Sequence, residues 1–418
     1  MTIHWETNDA ETCELYRTGE LAQAVDLIGS IETVVSETQS WNIECSNASR
    51  SAKSTVWIST PAAASADKIG VFVAHGNLGR TTMSCDRGRS WILNRDDGLE
   101  APDFQCVGGN DCSHHQGTAV DIVFGNGWFA RTIGWGKPGT LFRSRDGFGW
   151  EKTWSSGGAI EGLVFGNGYF LMISRGNVYK STDLMEWQDL GRLPVFTNIR
   201  AIDFLPYGDG MFVIVQQNRG LYELIFASVD DVENLAPSEW RRTNYIEDPV
   251  RAERFPADNE LIEACRDHAA AGVVLNNDNR MLMKSNRGTG SCYSDTVGAT
   301  WVYNDVDLPV VSRPLWTGSE FWAWRGRSAA YKSTDAIEWQ EYQMTPDGIN
   351  ASSAVAFGDG TFVGVHQSFQ SWYENQRFLY SENGIDWHFV EEGAYVGGHQ
   401  ITGIVYAEID QQISVCPD

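Results

Sequence analysis

The sequence predicts an all-β chain built from repeated small antiparallel sheets, and three observations support this fold class. The 418 residues include 42 Gly, 17 Trp, 19 Phe and 14 Tyr, a composition typical of many short strands joined by tight turns. A phrase recurs along the chain: an apolar strand, a Gly-Asn/Asp-Gly turn, two further strands and a Ser-x-Asp/Asn-x-x-x-Trp turn. The closing tryptophans are spaced from 37 residues (Trp150 to Trp187) to 61 (Trp240 to Trp301). These spacings bracket the value of about 40–50 expected of four-stranded units and predict a seven-bladed β-propeller.

Each part of the repeated phrase has a physical reason. Asn-Gly and Asp-Gly adopt positive φ at low cost, so they close two-residue hairpins between apolar strands. The Ser and Asp side chains of the closing turn accept hydrogen bonds from nearby backbone amides. The Trp that follows offers a large apolar face to a neighbouring sheet. Four copies are clear: residues 144–147 with Trp150, 181–183 with Trp187, 333–335 with Trp339, and 381–384 with Trp387. Three degenerate copies end at Trp91, Trp240 and Trp301.

These closing turns resemble the Asp-box, or bacterial neuraminidase repeat, of sialidase-like β-propellers. The resemblance implies a propeller in which the turns are scaffold, lying between the third and fourth strands of each blade. It matches no specific enzyme family. It also implies that the first strand of each blade lines a central axis, and that the loops leading into the first strands meet at one mouth of the channel.

The end of the chain predicts how the ring closes. Residues 401–409, ITGIVYAEI, have the character of a first strand. We expect them to pair with strands near residues 55–59 or 69–74, because closure removes exposed sheet edges. A disulfide from Cys416 to Cys45 or to Cys85 would fix this pairing. Residues 1–53 are interpreted as an irregular extension packed on the ring and residues 54–418 as the propeller; the alternative is six blades plus a β-rich cap.

Charge and cysteine content restrict the partners and the compartment. With 31 basic and 55 acidic residues, the formal net charge is −24. Such a surface repels nucleic acid and anionic membranes. The cysteines number eight, an even count, and no CxxC occurs, which indicates disulfides and an oxidising compartment. The sequence therefore predicts a secreted or periplasmic monomer, with its signal peptide removed and no membrane-inserted segment.

Functional residues are expected where the chain leads into the first strands. His occurs there repeatedly although the chain has only eight. Imidazoles that converge on one axis can hold a divalent or transition metal, whose identity the sequence leaves open. The predicted metal ligands are His115, His268 and His399. Further candidates at the same positions are His114, Asp267 and Asn350.

The favoured function is a metal-dependent enzyme of lyase or hydrolase type, acting on a small molecule, peptide or glycan at the channel mouth. Its candidate catalytic residues are Arg200, Arg313 and Tyr395. The alternative is a glycan- or protein-binding propeller without catalysis, in which aromatic side chains outside the closing turns stack on sugars; the candidates are Trp135, Trp324, Trp372 and Tyr373. Sialidase activity is disfavoured, because the Arg-Ile-Pro signature is absent and seven closing turns exceed the usual six blades.

Overall fold

The structure is a computed structural model. It describes residues 2–7, 10–17, 23–32, 39–47, 50–58, 68–76, 81–93, 118–135, 139–193, 198–218, 221–243, 265, 272–284, 289–306, 308, 313–326, 329–351, 354–366, 377–390 and 401–416. They form two compact units, Met1–Lys68 and Ile69–Asp418. Over these residues the protein is almost entirely β-structure, as the sequence predicts. One short helix, α1 (Val229–Asn234), and one 3-10 turn, Gln411–Ile413, interrupt the strands.

The first unit contains a two-stranded and a four-stranded antiparallel sheet. Its strands are β1 (Thr2–Glu6), β2 (Thr12–Arg17), β3 (Gln23–Val25), β4 (Ile28–Glu32), β5 (Gln39–Asn47) and β6 (Arg50–Ile58). β1 pairs with β4, and the larger sheet has the order β3-β2-β5-β6. A disulfide joins Cys13 to Cys45, which face each other across β2 and β5. The expected irregular extension is thus regular sheet. Its expected end at residue 53 falls inside β6, since these polar strands lack the repeated phrase that marks the later sheets.

The described part of the second unit forms seven four-stranded antiparallel sheets. Their strands begin with β7 (Lys68–Gly76), β8 (Thr81–Ser84), β9 (Ile92–Leu93), β10 (Thr118–Gly125), β11 (Trp128–Trp135), β12 (Thr140–Ser144), β13 (Glu151–Ser155), β14 (Ile160–Gly166), β15 (Tyr169–Ser174), β16 (Asn177–Ser181), β17 (Gln188–Arg192), β18 (Asn198–Leu205), β19 (Met211–Asn218), β20 (Leu221–Ser228) and β21 (Arg241–Thr243). They continue with β22 (Val273–Leu275), β23 (Met281–Met283), β24 (Ser291–Ser294), β25 (Val302–Asn304), β26 (Leu315–Trp316), β27 (Phe321–Arg325), β28 (Ala329–Ser333), β29 (Gln340–Gln343), β30 (Val355–Gly358), β31 (Thr361–His366), β32 (Arg377–Ser381), β33 (His388–Phe389) and β34 (Ile401–Asp410).

The order of strands closes the second unit on itself. Six sheets run in chain order, from β10 to β33, and the seventh has the order β34-β7-β8-β9. The first strands β10, β14, β18, β22, β26, β30 and β34 contact one another in that sequence, and β34 also contacts β10. Of the two closures expected, the structure has the pairing of β34 with β7, and the disulfide Cys85–Cys416 lies in the same sheet region. This cyclic arrangement of antiparallel sheets is consistent with a β-propeller.

The turns adopt the geometry that their residues predict. In the hairpin between β10 and β11, Asn126 has φ 48° and Gly127 φ 72°. The pairs at 167–168 and 359–360 repeat this geometry. Two successive positive φ values define the turn whose twist matches antiparallel strands.

The closing turns are held by side-chain-to-backbone hydrogen bonds. Ser144 Oγ accepts from the Gly147 N–H at 2.9 Å, and Asp146 Oδ1 accepts from the amides of Phe148 (2.9 Å) and Gly149 (2.8 Å). The turns at 181–186 and 381–386 repeat this pattern, and in the turn at 333–338 Asp335 Oδ1 accepts from the amides of Ile337 and Glu338. The degenerate copy at 228–240 instead has Ser228 capping helix α1.

Apolar residues fill the spaces between neighbouring sheets. Met281 and Met283 of one sheet pack with Val213 and Phe226 of the preceding one. The closing tryptophans take part, as predicted: the Trp387 ring meets Trp324 of the preceding sheet edge-on, with centroids 5.9 Å apart. This packing fixes the angle between sheets and so positions the first strands around their common axis.

Candidate functional site

A cavity of about 530 Å³ lies between the first strands of the second unit. Its described wall comes from β10, β18, β22, β26, β30 and β34, or from residues directly adjoining these strands. Most of the described residues that line it are apolar. Its charged members, among the described residues, are Asp121, Asp203 and Arg313. A few polar groups in an apolar concave site are the usual composition of a small-molecule pocket.

Asp203 and Arg313 form an ion pair across the cavity wall. Asp203 lies near the end of β18, and Arg313 comes just before β26. The Arg313 Nη2 group donates to Asp203 Oδ1, while Asp203 Oδ2 accepts from the Val273 N–H at 2.9 Å. The Asp203 side chain is 8% exposed and that of Arg313 is 46% exposed. Both carboxylate oxygens of Asp203 therefore accept hydrogen bonds from residues of the wall. The more exposed guanidinium of Arg313 still has N–H groups available to the cavity.

Gly272 makes room for this ion pair. Its φ is +89°, and a Cβ placed there would lie 2.3 Å from Asp203 Oδ2 and 3.3 Å from Arg313 Cζ. Both the left-handed backbone and the close approach of the carboxylate require glycine. The chain thus reaches β22 by a conformation that leaves the Val273 N–H free to bind Asp203.

Asp121 is the second acidic group of the wall. It lies on β10 where the pairing with β11 shifts register between Ala119 and Ile122. Its Oδ2 accepts from the Leu163 N–H of the neighbouring first strand at 2.8 Å. Burial raises the pKa of the Asp121 carboxyl to about 6; the Asp203 charge adds to the rise, and the Leu163 amide and Arg313 oppose it. A carboxyl with this pKa exchanges protons near neutral pH.

The site residues predicted from the sequence lie in different parts of the structure. Arg313 lines the cavity. Arg200 lies exposed on β18 and is not part of the cavity wall. Asn350 is buried, and its backbone N–H donates to His366 Nδ1 at 3.1 Å, away from the wall. The other candidates lie outside the described residues: His114, His115, Asp267, His268, Tyr395 and His399. In the part of the chain that is described, no three His, Cys, Asp or Glu side chains are grouped to hold a metal ion.

Asp121 and Asp203 were not among the predicted site residues, because the prediction considered the residues that lead into the first strands and not those within the strands. The signal was present: each is a lone acidic residue in an otherwise apolar strand, VDIVF and AIDFL. A carboxylate in a buried strand needs partners, and these two find them in backbone amides of neighbouring sheets.

Four further aromatic or basic side chains, those of Trp322, Trp324, His75 and Arg131, are packing residues. Trp322 and Trp324 are both buried, with ring centroids 6.1 Å apart, so they offer no sugar platform. His75 is fully buried on β7, and burial, aided by the charge of Arg131, lowers its pKa to about 3. Arg131 is itself buried, with its guanidinium over the rings of Phe142 and Trp150.

Comparison with known proteins shows the fold. No family profile matches the chain, and no curated protein matches it. A quinonprotein alcohol dehydrogenase-like protein of Bacteroides thetaiotaomicron superposes with a TM-score of 0.53 at 10% identity, over 97% of this chain and 94% of that one. The chain is also similar to YCF48 bound to D1 peptide (TM-score 0.48, 16% identity, 71% and 86% covered). Virginiamycin B lyase from Staphylococcus aureus gives 0.42 at 13% identity, with 71% and 91% covered. At 10% identity, the superposition on the Bacteroides protein establishes a β-propeller-like architecture and no activity.

Two further observations concern the compartment. Three disulfides join described cysteines: Cys13–Cys45, Cys85–Cys416 and Cys265–Cys292. They are consistent with an extracellular or periplasmic protein. Among the helices of the described chain, none has the length and apolar character to cross a bilayer.

Proposed function

We propose that residues 69–418 form a seven-bladed, Asp-box-type β-propeller with one small-molecule site on its axis, and that the protein is an extracytoplasmic enzyme of lyase or hydrolase type. The observation that carries the proposal is the constellation of Asp121, Asp203 and Arg313 in one cavity. Chemistry of both types needs a group that moves a proton and a group that holds an oxygen atom of the substrate.

Asp121 is the proton-transferring group of this proposal. With a pKa of about 6, its carboxyl is mostly ionised at neutral pH yet takes up a proton readily. Arg313 is the oxygen-holding group, because its exposed N–H donors face the cavity while Asp203 fixes its orientation. Asp203 is a positioning residue, since both of its oxygens are occupied by the wall.

The metal ion expected from the sequence remains part of the proposal. His115, His268 and His399 precede β10, β22 and β34 along the chain, and these strands line the cavity. Imidazole ligands would suit a divalent or transition metal that acts as a Lewis acid. Elemental analysis of protein purified without a polyhistidine tag tests this: we expect one metal ion per chain, lost in the His268→Ala/His399→Ala variant. A metal-free wild-type protein whose melting temperature is unchanged by chelator would contradict it.

A binding module that uses the same cavity is the second candidate. It is favoured by the hydrogen bonds that Asp121 and Asp203 make to the Leu163 and Val273 amides, which give both carboxylates a structural role. A monomeric propeller that holds a small molecule, peptide or glycan at its axis without turnover fits this observation.

Mass spectrometry of a mixed small-molecule extract separates the two candidates. The enzyme predicts that compounds are consumed and products accumulate with the wild-type protein and with the control Asp209→Asn, an exposed turn residue, but not with Asp121→Asn. Compounds that are retained by the wild-type protein and recovered unchanged would establish the binding module and reject the enzyme. Equal turnover by wild type and Asp121→Asn would reject the role given to Asp121.

A further inference from the structure

We propose that the axial cavity selects an organic cation, namely an amine with an apolar body, whose ammonium group pairs with Asp121. This inference rests on the site of the proposed function and names the class of molecule that the site takes. It follows from the charges of the wall, from the free oxygen of Asp121 and from the apolar surface around it.

The charge of the wall is unbalanced. Arg313 is paired with Asp203, and the described wall contains no other cation. Arg313 also acts on Asp121 through its charge, so the described wall holds two carboxylates and one cation and carries one net negative charge when Asp121 is ionised. Burial penalises the ionised form of Asp121, and a cationic ligand offsets that penalty on binding.

Asp121 has one oxygen available to a ligand. Oδ2 accepts from the Leu163 N–H, and no described residue donates to Oδ1. The side chain is neither fully buried nor fully exposed, as expected of a group in a cavity wall. An ammonium group supplies strong donors to such an oxygen, and a charge-assisted hydrogen bond of this kind is stronger than a neutral one.

The remaining wall suits an apolar body. The apolar residues that line the cavity include Val120, Ile122, Phe204, Leu275 and Trp316. A cavity of about 530 Å³ falls within the usual size range of small-molecule pockets, about 300–1,000 Å³. A small inorganic cation would leave this apolar surface uncovered, and an apolar carboxylate would meet Asp121 with like charge.

The class of ligand also fits proton transfer at Asp121. If the carboxylate takes a proton from the bound ammonium group, an N–H bond breaks and an O–H bond forms. The transfer neutralises both the carboxylate and the ammonium group, and a neutral amine remains in the cavity. No oxidant or further reactant is needed.

Calorimetric titration with simple probes tests the inference. Phenethylamine and tryptamine are the probes, and phenylethanol and phenylpropionate are the neutral and anionic controls of similar shape. At pH 7.5 we expect at least one amine to bind with a Kd about tenfold or more below that of either control. Asp121→Asn should lose that preference, and Asp209→Asn should keep it. The Kd for the amine should rise as pH falls below 6, because protonation of Asp121 removes its charge.

The outcomes are separable from those of the proposed function. Equal binding of amine and alcohol, tighter binding of phenylpropionate, or an amine preference that survives in Asp121→Asn would each overturn the inference. Amine binding by a wild-type protein that retains compounds of the small-molecule extract and releases them unchanged would leave the inference standing and reject the enzyme. If the protein turns over non-cationic compounds and this turnover depends on Asp121, the proposed enzymatic function stands and the inference of an amine ligand is rejected.

Discussion

At the scale of single residues, the cavity depends on a glycine as much as on its charged groups. Gly272 combines a φ of +89° with a close approach to Asp203 and Arg313. A side chain at position 272 would destabilise the fold for two reasons: the left-handed backbone disfavours it, and it would displace the buried carboxylate of Asp203. The second effect is what ties this position to the site.

Substitution Gly272→Ala tests that dependence against a matched control. Gly348 has φ +86°, and a Cβ at that position would have no atom within 4 Å, so Gly348→Ala carries the backbone cost alone. We expect the control to lose about 1 kcal/mol of unfolding free energy and Gly272→Ala to lose about 2–4 kcal/mol, by general magnitudes for strained and overpacked sites. Denaturant unfolding measures both. Equal losses would show that Asp203 moves aside freely.

Asp121 should make the folded protein less stable as it ionises. Its pKa is 3.8 as an ordinary side chain and about 6 in the fold, so between these values the folded state holds the extra proton. Stability is then lost as pH rises from about 4 to about 6. A shift of this size corresponds to at most about 3 kcal/mol.

Asp121→Asn removes this penalty. We expect the variant to match the wild type near pH 4 and to exceed its unfolding free energy at pH 7.5, because Asn Oδ1 still accepts from the Leu163 N–H. Denaturant unfolding at the two pH values measures the difference, with Asp209→Asn as control. A variant less stable than wild type at pH 7.5 would mean that the carboxylate stabilises the fold.

At the scale of elements, the closing turns show which features a sequence can predict. Ser181 and Asp183 bond to amides two and three residues ahead, so the turn is encoded within a few consecutive residues and was predicted. Of the charged residues that line the cavity, the sequence analysis named Arg313 but not Asp121 or Asp203. Their partners, Leu163 and Val273, belong to neighbouring sheets, and no local pattern reveals that alignment.

Asp183 offers a test of turn chemistry with a natural reference. Hydrogen bonds from the Met185 and Glu186 amides lower the pKa of Asp183. Its contribution to stability is therefore present above the ordinary Asp pKa and is lost as pH falls through the lower, folded value. The equivalent turn at Asn383 uses an amide oxygen for the same bonds.

From this we expect Asp183→Ala to cost about 1 kcal/mol of unfolding free energy at neutral pH, the usual worth of such bonds, and Asp183→Asn to cost less. Between pH 5 and pH 2.5 the wild type should lose stability that Asp183→Asn does not. Thermal unfolding across that range measures both. Equal loss in the Ala and Asn variants would show that hydrogen bonding by the side chain is unimportant at this turn.

At the scale of the whole second unit, stability depends on closing the ring. The sheet β34-β7-β8-β9 joins the two ends of the unit, and the Cys85–Cys416 disulfide spans 331 residues of sequence. Cross-linking so long a loop restricts the unfolded chain strongly. It also keeps β34, which contributes Thr402 and Gly403 to the cavity wall, beside β7.

Removing this disulfide should therefore cost more than removing Cys265–Cys292, which spans 27 residues. Loop-closure entropy alone predicts a difference of about 2 kcal/mol between the variants Cys85→Ser/Cys416→Ser and Cys265→Ser/Cys292→Ser. Denaturant unfolding compares them, and ligand titration adds a second readout. If β34 leaves β7 in the first variant, amine binding weakens along with stability, because one side of the cavity opens. A first variant no less stable than the second, with unchanged amine binding, would mean that the strand pairing between β34 and β7 holds the ring closed without the covalent link.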